Sequence, residues 1–112
     1  MNYLDFEVGN KNYKLRLTTR SVIGLERKLG GNPLKIFTDC QKDGSIPTIT
    51  NMVFVLHAAL QAFNANITLE EAYDIFDGWL AEGHIASDFA NVIIDLYKDA
   101  GLIQKSEESE KN

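Results

Sequence analysis

Cysteine occurs once, at Cys40, so the chain closes no internal disulfide and suits a reducing compartment. The two histidines, His57 and His84, stand in no metal-ligand spacing and have no cysteine nearby to share a metal with. Bases are outnumbered, 11 against 16 acids. A net charge of −5 is the reverse of the basic footprint of a nucleic-acid binder. No window approaches the roughly 18–20 uninterrupted apolar residues of a membrane span. Met1 to Lys11 carries acids and no apolar core, and does not read as a signal peptide. Gly30-Gly31 follows a helix instead of opening one, and no Gly-Lys-Ser/Thr accompanies it, which excludes a phosphate loop. No Gly-x-Ser-x-Gly or Cys/His signature frames a nucleophile. With 45% apolar residues, the chain still has the means to build one modest core.

The most informative stretch is Tyr13 to Phe37. Tyr13, Leu15 and Leu17 alternate with Lys14 and Arg16, the period of a half-buried strand. Val22, Leu25 and Leu29 then share one helical face. Thr18 or Thr19 caps that helix, Gly30 and Gly31 supply the positive φ of its stop, and Asn32-Pro33 starts the next. Before this stretch, Leu4, Phe6 and Val8 alternate with Asp5 and Glu7, and residues 9–12 are turn chemistry. The reading is a hairpin over 3–17, with Asp5 and Glu7 pairing Lys14 and Arg16 across its outer face. A lone hairpin is marginal in water, so its apolar face must rest on helices.

The spacing predicts helices at about 19–29, 33–41, 50–64, 69–82 and 87–100. The third is apolar nearly all round. Met52, Leu56, Ala59 and Phe63 form one stripe, which Val53, Val55 and Leu60 widen. Thr68 and Glu71 form a capping box for the fourth, whose expected inner face is Leu69, Ala72, Tyr73, Phe76, Trp79 and Leu80. Phe89, Val92, Ile93 and Leu96 face inward on the fifth, Gly101 stops it, and Leu102 folds back over the stop. The expected fold class is α+β, mainly helical: an N-terminal hairpin packed on about five helices. Residues 1–104 form a single compact domain, and 105–112 a disordered polar tail.

The run LRLTTRSVIGLERKLGGNPL resembles the tail assembly chaperones of long-tailed bacteriophages of Gram-positive hosts. The likeness rests on Leu15, Leu17, Thr18, Leu25, Glu26, Leu29, Gly30, Asn32, Pro33 and Leu34. A looser likeness extends over roughly the first hundred residues. It implies a non-enzymatic protein of the host cytoplasm, absent from the mature virion, that coats the long helical tape measure protein and keeps it soluble. The implied partners are the tape measure protein, the tail tube protein, a longer frameshifted form of the chain, and further copies of itself. No cofactor, nucleic acid or membrane is implied.

Read without that likeness, the residues stop at a binding or assembly module, and rival classes stay open. One is a small non-enzymatic cytoplasmic regulator or adaptor with one defined partner; another is an enzyme with an unfamiliar site. Asp39, Gln41, Asp43, Gly44 and Ser45 invite a calcium-loop reading, which fails because Thr50 stands where a bidentate Glu is needed. A helix end followed by an Asp-Gly turn is the simpler reading. Cys40 reads as a small apolar residue of the second helix. Phe54 falls opposite the main stripe of the third helix, beside His57 and Gln61, and Ile75 and Ile94 flank the apolar faces of theirs. A helix with apolar residues beyond one stripe is either surrounded or presents a second surface. Phe54, His57, Gln61, Ile75 and Ile94 are therefore the candidate partner-binding residues.

Overall fold

Gly9 turns the chain back on itself two residues after Glu7. Its φ of 63° is the positive value required at the first central position of a two-residue hairpin turn. In the computed structural model, which describes residues 3–43 and 46–104, strands β1 (Leu4–Val8) and β2 (Lys11–Leu15) pair antiparallel. The register sets Leu4 against Leu15, Phe6 against Tyr13 and Val8 against Lys11. Phe6 and Leu15 are buried on the inner face. On the outer face Asp5 meets Lys14 as the charge pattern predicts, but Glu7 meets Asn12, and Asn12 donates to Asp5 instead, at 2.9 Å.

Among the described residues five helices follow: α1 (Thr19–Leu29), α2 (Lys35–Asp43), α3 (Ile49–Leu60), α4 (Leu69–Ala81) and α5 (Ala86–Asp99). The fold is α+β and mainly helical, as the patterning predicts. Thr18 caps α1 by accepting from the Ser21 amide, and Gly30 ends it in the left-handed region at φ 77°. Asn32 accepts from the Leu34 amide at 2.9 Å, and Pro33 and Leu34 form a turn, so α2 begins two residues later than expected. Thr68 and Glu71 make the capping box of α4. At the far end of α5 the Leu102 amide reaches back to the Tyr97 carbonyl at 2.9 Å, the 6→1 bond that closes a glycine stop.

Helix α3 is the hub, with α1, α4, α5 and β2 all packed on it. Two expected boundaries differ here, and one hydrogen bond accounts for both. The Arg16 amide leaves the strand ladder and donates to the Ala59 carbonyl at 3.1 Å. This ends β2 at Leu15, not Leu17, and takes the carbonyl that the Phe63 amide needs to continue α3 to residue 64. The Phe63 and Asn64 amides fall back on Leu60 instead, at 3.1 and 2.9 Å. Phe63 consequently leaves the stripe and is 43% exposed, edge-on to Tyr3. Leu17 stays buried outside the strand.

Helix α4 is turned relative to its expected face. Ala72, Ile75, Phe76 and Trp79 are buried, and Tyr73 points out. Trp79, Phe76 and Phe6 converge on Phe89, with ring centroids 5.7, 5.3 and 5.8 Å from it. This cluster joins β1, α4 and α5. Each fully buried ring of this kind contributes about 1.5–3 kcal/mol by leaving water, and edge-to-face pairs add about 0.5–1.5 kcal/mol each. Gly78 lets β1 come this close: a Cβ there would stand 3.1 Å from the Val8 side chain. The Gly9 amide also donates to the Glu82 carboxylate, fastening the hairpin turn to the end of α4. Tyr97, which the sequence reading passed over, is fully buried and donates to the Pro33 carbonyl at 2.9 Å. The expected polar tail at 105–112 lies outside the described residues.

Candidate functional site

An open groove lies between α1 and the turn that leaves α3. Its volume is about 1000 Å³. Its floor is small and largely apolar: Ser21 and Gly24 from α1, and Ala62 and Ala65 from the turn. Ile23 stands over it, 44% exposed. Arg20 and Arg27 rim one wall and Gln61 the other. The groove follows from the local sequence. Arg20, Ile23, Gly24 and Arg27 fall at i, i+3, i+4 and i+7, one outward stripe of α1. The early stop of α3 folds residues 61–65 beside that stripe. Nothing lies within 4 Å of where a Gly24 Cβ would stand, so the glycine leaves real space.

The five expected partner-binding residues separate. Gln61 is exposed and lines the groove. Phe54 is half-buried against the core with the Lys28 ammonium over its ring, 5.6 Å from the centroid, a cation–π contact. His57 is buried between Lys28 and the 64–68 turn. Lys28 has only donors to offer, so Nδ1 of His57 accepts from it at 3.2 Å, and Nε2–H donates to the Ile67 carbonyl at 2.9 Å. His57, expected beside Phe54 on a possible second surface of the helix, is instead covered, because α1 packs on that side of α3. Ile75 is buried, and Ile94 is half-buried. The second apolar side of α3 is thus mostly its contact with α1. The groove residues of α1 went unread because Ile23 and Gly24 carry no motif. The i, i+3, i+4, i+7 stripe of two arginines around them was the available signal.

Among the described residues, no cluster of three or more His, Cys, Asp or Glu side chains is placed to hold a metal. The segment Asp39 to Asp43, which would have to be the start of a calcium loop, lies in α2; residues 44–45 lie outside the described residues. Cys40 is half-buried and its thiol donates to the Phe37 carbonyl at 3.2 Å. His84 stacks on Trp79 with centroids 4.3 Å apart, and its Nδ1 lies 3.9 Å from Asp88. Burial pushes the Tyr97 phenol well above its ordinary value. It serves as a hydrogen-bond donor inside the fold. No helix among the described residues is long and apolar enough to cross a membrane.

No curated protein and no solved structure matches the chain. Residues 4–112 match the model of a family of unknown function, DUF6096, and the chain belongs to that family.

Proposed function

We propose that this protein is a phage tail assembly chaperone, which binds and solubilises the tape measure protein while the tail is built and has no enzymatic activity of its own. The observation that carries the reading is the α1/α3 groove. One of its walls belongs to the segment on which the resemblance to those chaperones rests, Leu15 to Leu34. The other is built from residues 61–65. An amphipathic helix presents an apolar ridge of the kind such a groove takes, and a long helical client offers that ridge many times over. Single contacts in so open a site are weak. Repetition along one client holds the coat, and stepwise displacement by tail tube subunits releases it. The net charge of −5 then keeps the loaded complex in solution. The working place is the host cytoplasm, with a longer frameshifted form as a further partner.

Gly24→Leu tests this cleanly. The site has room for the side chain, and leucine is the better helix former by about 0.8–1 kcal/mol, so the variant folds at least as well. The leucine fills the groove. Co-expressed with the long helical product of the adjoining gene, the wild type keeps that product soluble and Gly24→Leu does not. Equal solubilisation by a folded Gly24→Leu removes the groove from the account. A complex of one copy per client favours the regulator or adaptor class instead.

A further inference from the structure

The groove stripe has a counterpart elsewhere on the same molecule. On α1 the outward residues are Arg20, Ile23, Gly24 and Arg27. On α4 they are Glu70, Tyr73, Asp74 and Asp77, at the same i, i+3, i+4 and i+7 spacing, and all eight are exposed. The signs are opposite. Residues 16–28 carry four bases against Glu26, whereas residues 69–82 carry five acids and no base. Each stripe holds one exposed apolar side chain at its centre, Ile23 at 44% and Tyr73 at 49%. Among the described residues, no arginine or lysine lies within 4 Å of a carboxylate. The two helices are also of similar length, about 16 and 20 Å from a 1.5 Å rise per residue.

We propose that the acidic α4 face of a second copy of this chain docks in the α1/α3 groove. Tyr73 enters the space over Gly24, beside Ile23. The carboxylates of Glu70 and Asp77, two helical turns apart, meet Arg20 and Arg27, which are separated by the same two turns. Both ends of each stripe carry one sign, so the match holds whether the helices run parallel or antiparallel. Donor and acceptor faces differ, so the contact is heterologous. Copies therefore add head to tail unless the rotation closes a ring. The inference rests on the groove being the client seat: a neighbouring copy occupies it until a client helix displaces it.

Analytical ultracentrifugation of the full chain from about 10 μM to 1 mM, the range of weak association, tests this. The wild type associates with rising concentration and returns to monomer when salt is raised to about 0.5 M, where charges are screened within a few ångströms. Arg20→Glu with Arg27→Glu gives a monomer, and so does Glu70→Arg with Asp77→Arg. Mixing these two folded variants in equal amounts restores association, because each now offers the other complementary faces. A wild type that stays monomeric throughout, or reversed variants that associate as it does, overturns the proposal, as does a mixture that remains monomeric. Circular dichroism establishes that each variant is folded. The α4 variant keeps tape-measure solubilisation in the same co-expression assay. Failure of self-association alongside loss of solubilisation in Gly24→Leu therefore rejects the docking and leaves the chaperone reading standing.

Discussion

Replacing Tyr97 by phenylalanine removes one oxygen from the centre of the fold and gives a prediction with two parts. The ring stays, and with it the edge-on contact to Phe37 at 5.8 Å. The hydrogen bond to the Pro33 carbonyl goes, and that carbonyl keeps only the long 3.4 Å contact from the Ile36 amide. Leaving a buried acceptor poorly paired costs about 1–2 kcal/mol at neutral pH, a fall in melting temperature of roughly 4–10 °C. The second part concerns alkaline pH. Burial raises the folded phenol above its ordinary value of 10.0. Above about pH 10 the unfolded chain therefore releases a proton that the folded chain retains, and stability falls as pH rises. At pH 11 this amounts to about 1.4 kcal/mol, and the Tyr97→Phe variant, with no phenol to titrate at that position, is exempt from it. The variant thus starts less stable and draws level near pH 11. Urea melts of both proteins at pH 7 and pH 11 measure the difference. A gap that is the same at both pH values refutes the burial argument, and no gap at pH 7 refutes the hydrogen bond.

Three further outcomes follow from contacts already described. Thr68→Ala and Glu71→Ala each lower stability by about 1 kcal/mol, and the double variant loses less than the sum because the two form one reciprocal cap; chemical denaturation of the three proteins measures this. Nitrogen-resolved NMR of His57 finds the proton on Nε2, and a proton on Nδ1 would contradict the Lys28 contact. Gly78→Val drives a branched side chain into Val8 and destabilises by about 1–3 kcal/mol, and Val8→Ala in the same chain recovers part of the loss on thermal melting.

Local signals were legible wherever one short stretch of chain decides the outcome. Thr18, Gly30 and the Thr68–Glu71 pair act on backbone groups within four or five residues, and the helices they bound fall within a residue of expectation. Orientation was harder. Helix α3 is apolar on nearly every side because four elements pack on it, so periodicity leaves its phase undefined and does not separate a surrounded helix from one with a second surface; Phe54 and His57 lie on the side that α1 covers. Tyr73 and Ile75 exchanged roles for a related reason: both lie at the border of an apolar arc, and the position of β1 over Gly78 decides between them. The Arg16–Ala59 bond spans 43 residues (59 − 16) and has no local signature, yet it sets two boundaries. The groove it helps create was for that reason invisible in the sequence, although its arginine stripe was not.

The fastening of the hairpin to α4 has a consequence for synthesis. Val8 rests on Gly78, Phe6 on Trp79 and Phe89, and the Gly9 amide on Glu82, 73 residues further along. While the chain is being made, β2 can settle on α3, but β1 has only β2 to lie against until α4 and α5 have emerged from the ribosome. A two-stranded ribbon with two unpaired edges does not hold on its own. Strand β1 therefore waits as open chain until α4 and α5 are made. Ribosome-bound chains halted before residue 80 should remain protease-sensitive across Leu4–Val8, and those residues should become resistant only once α5 is free.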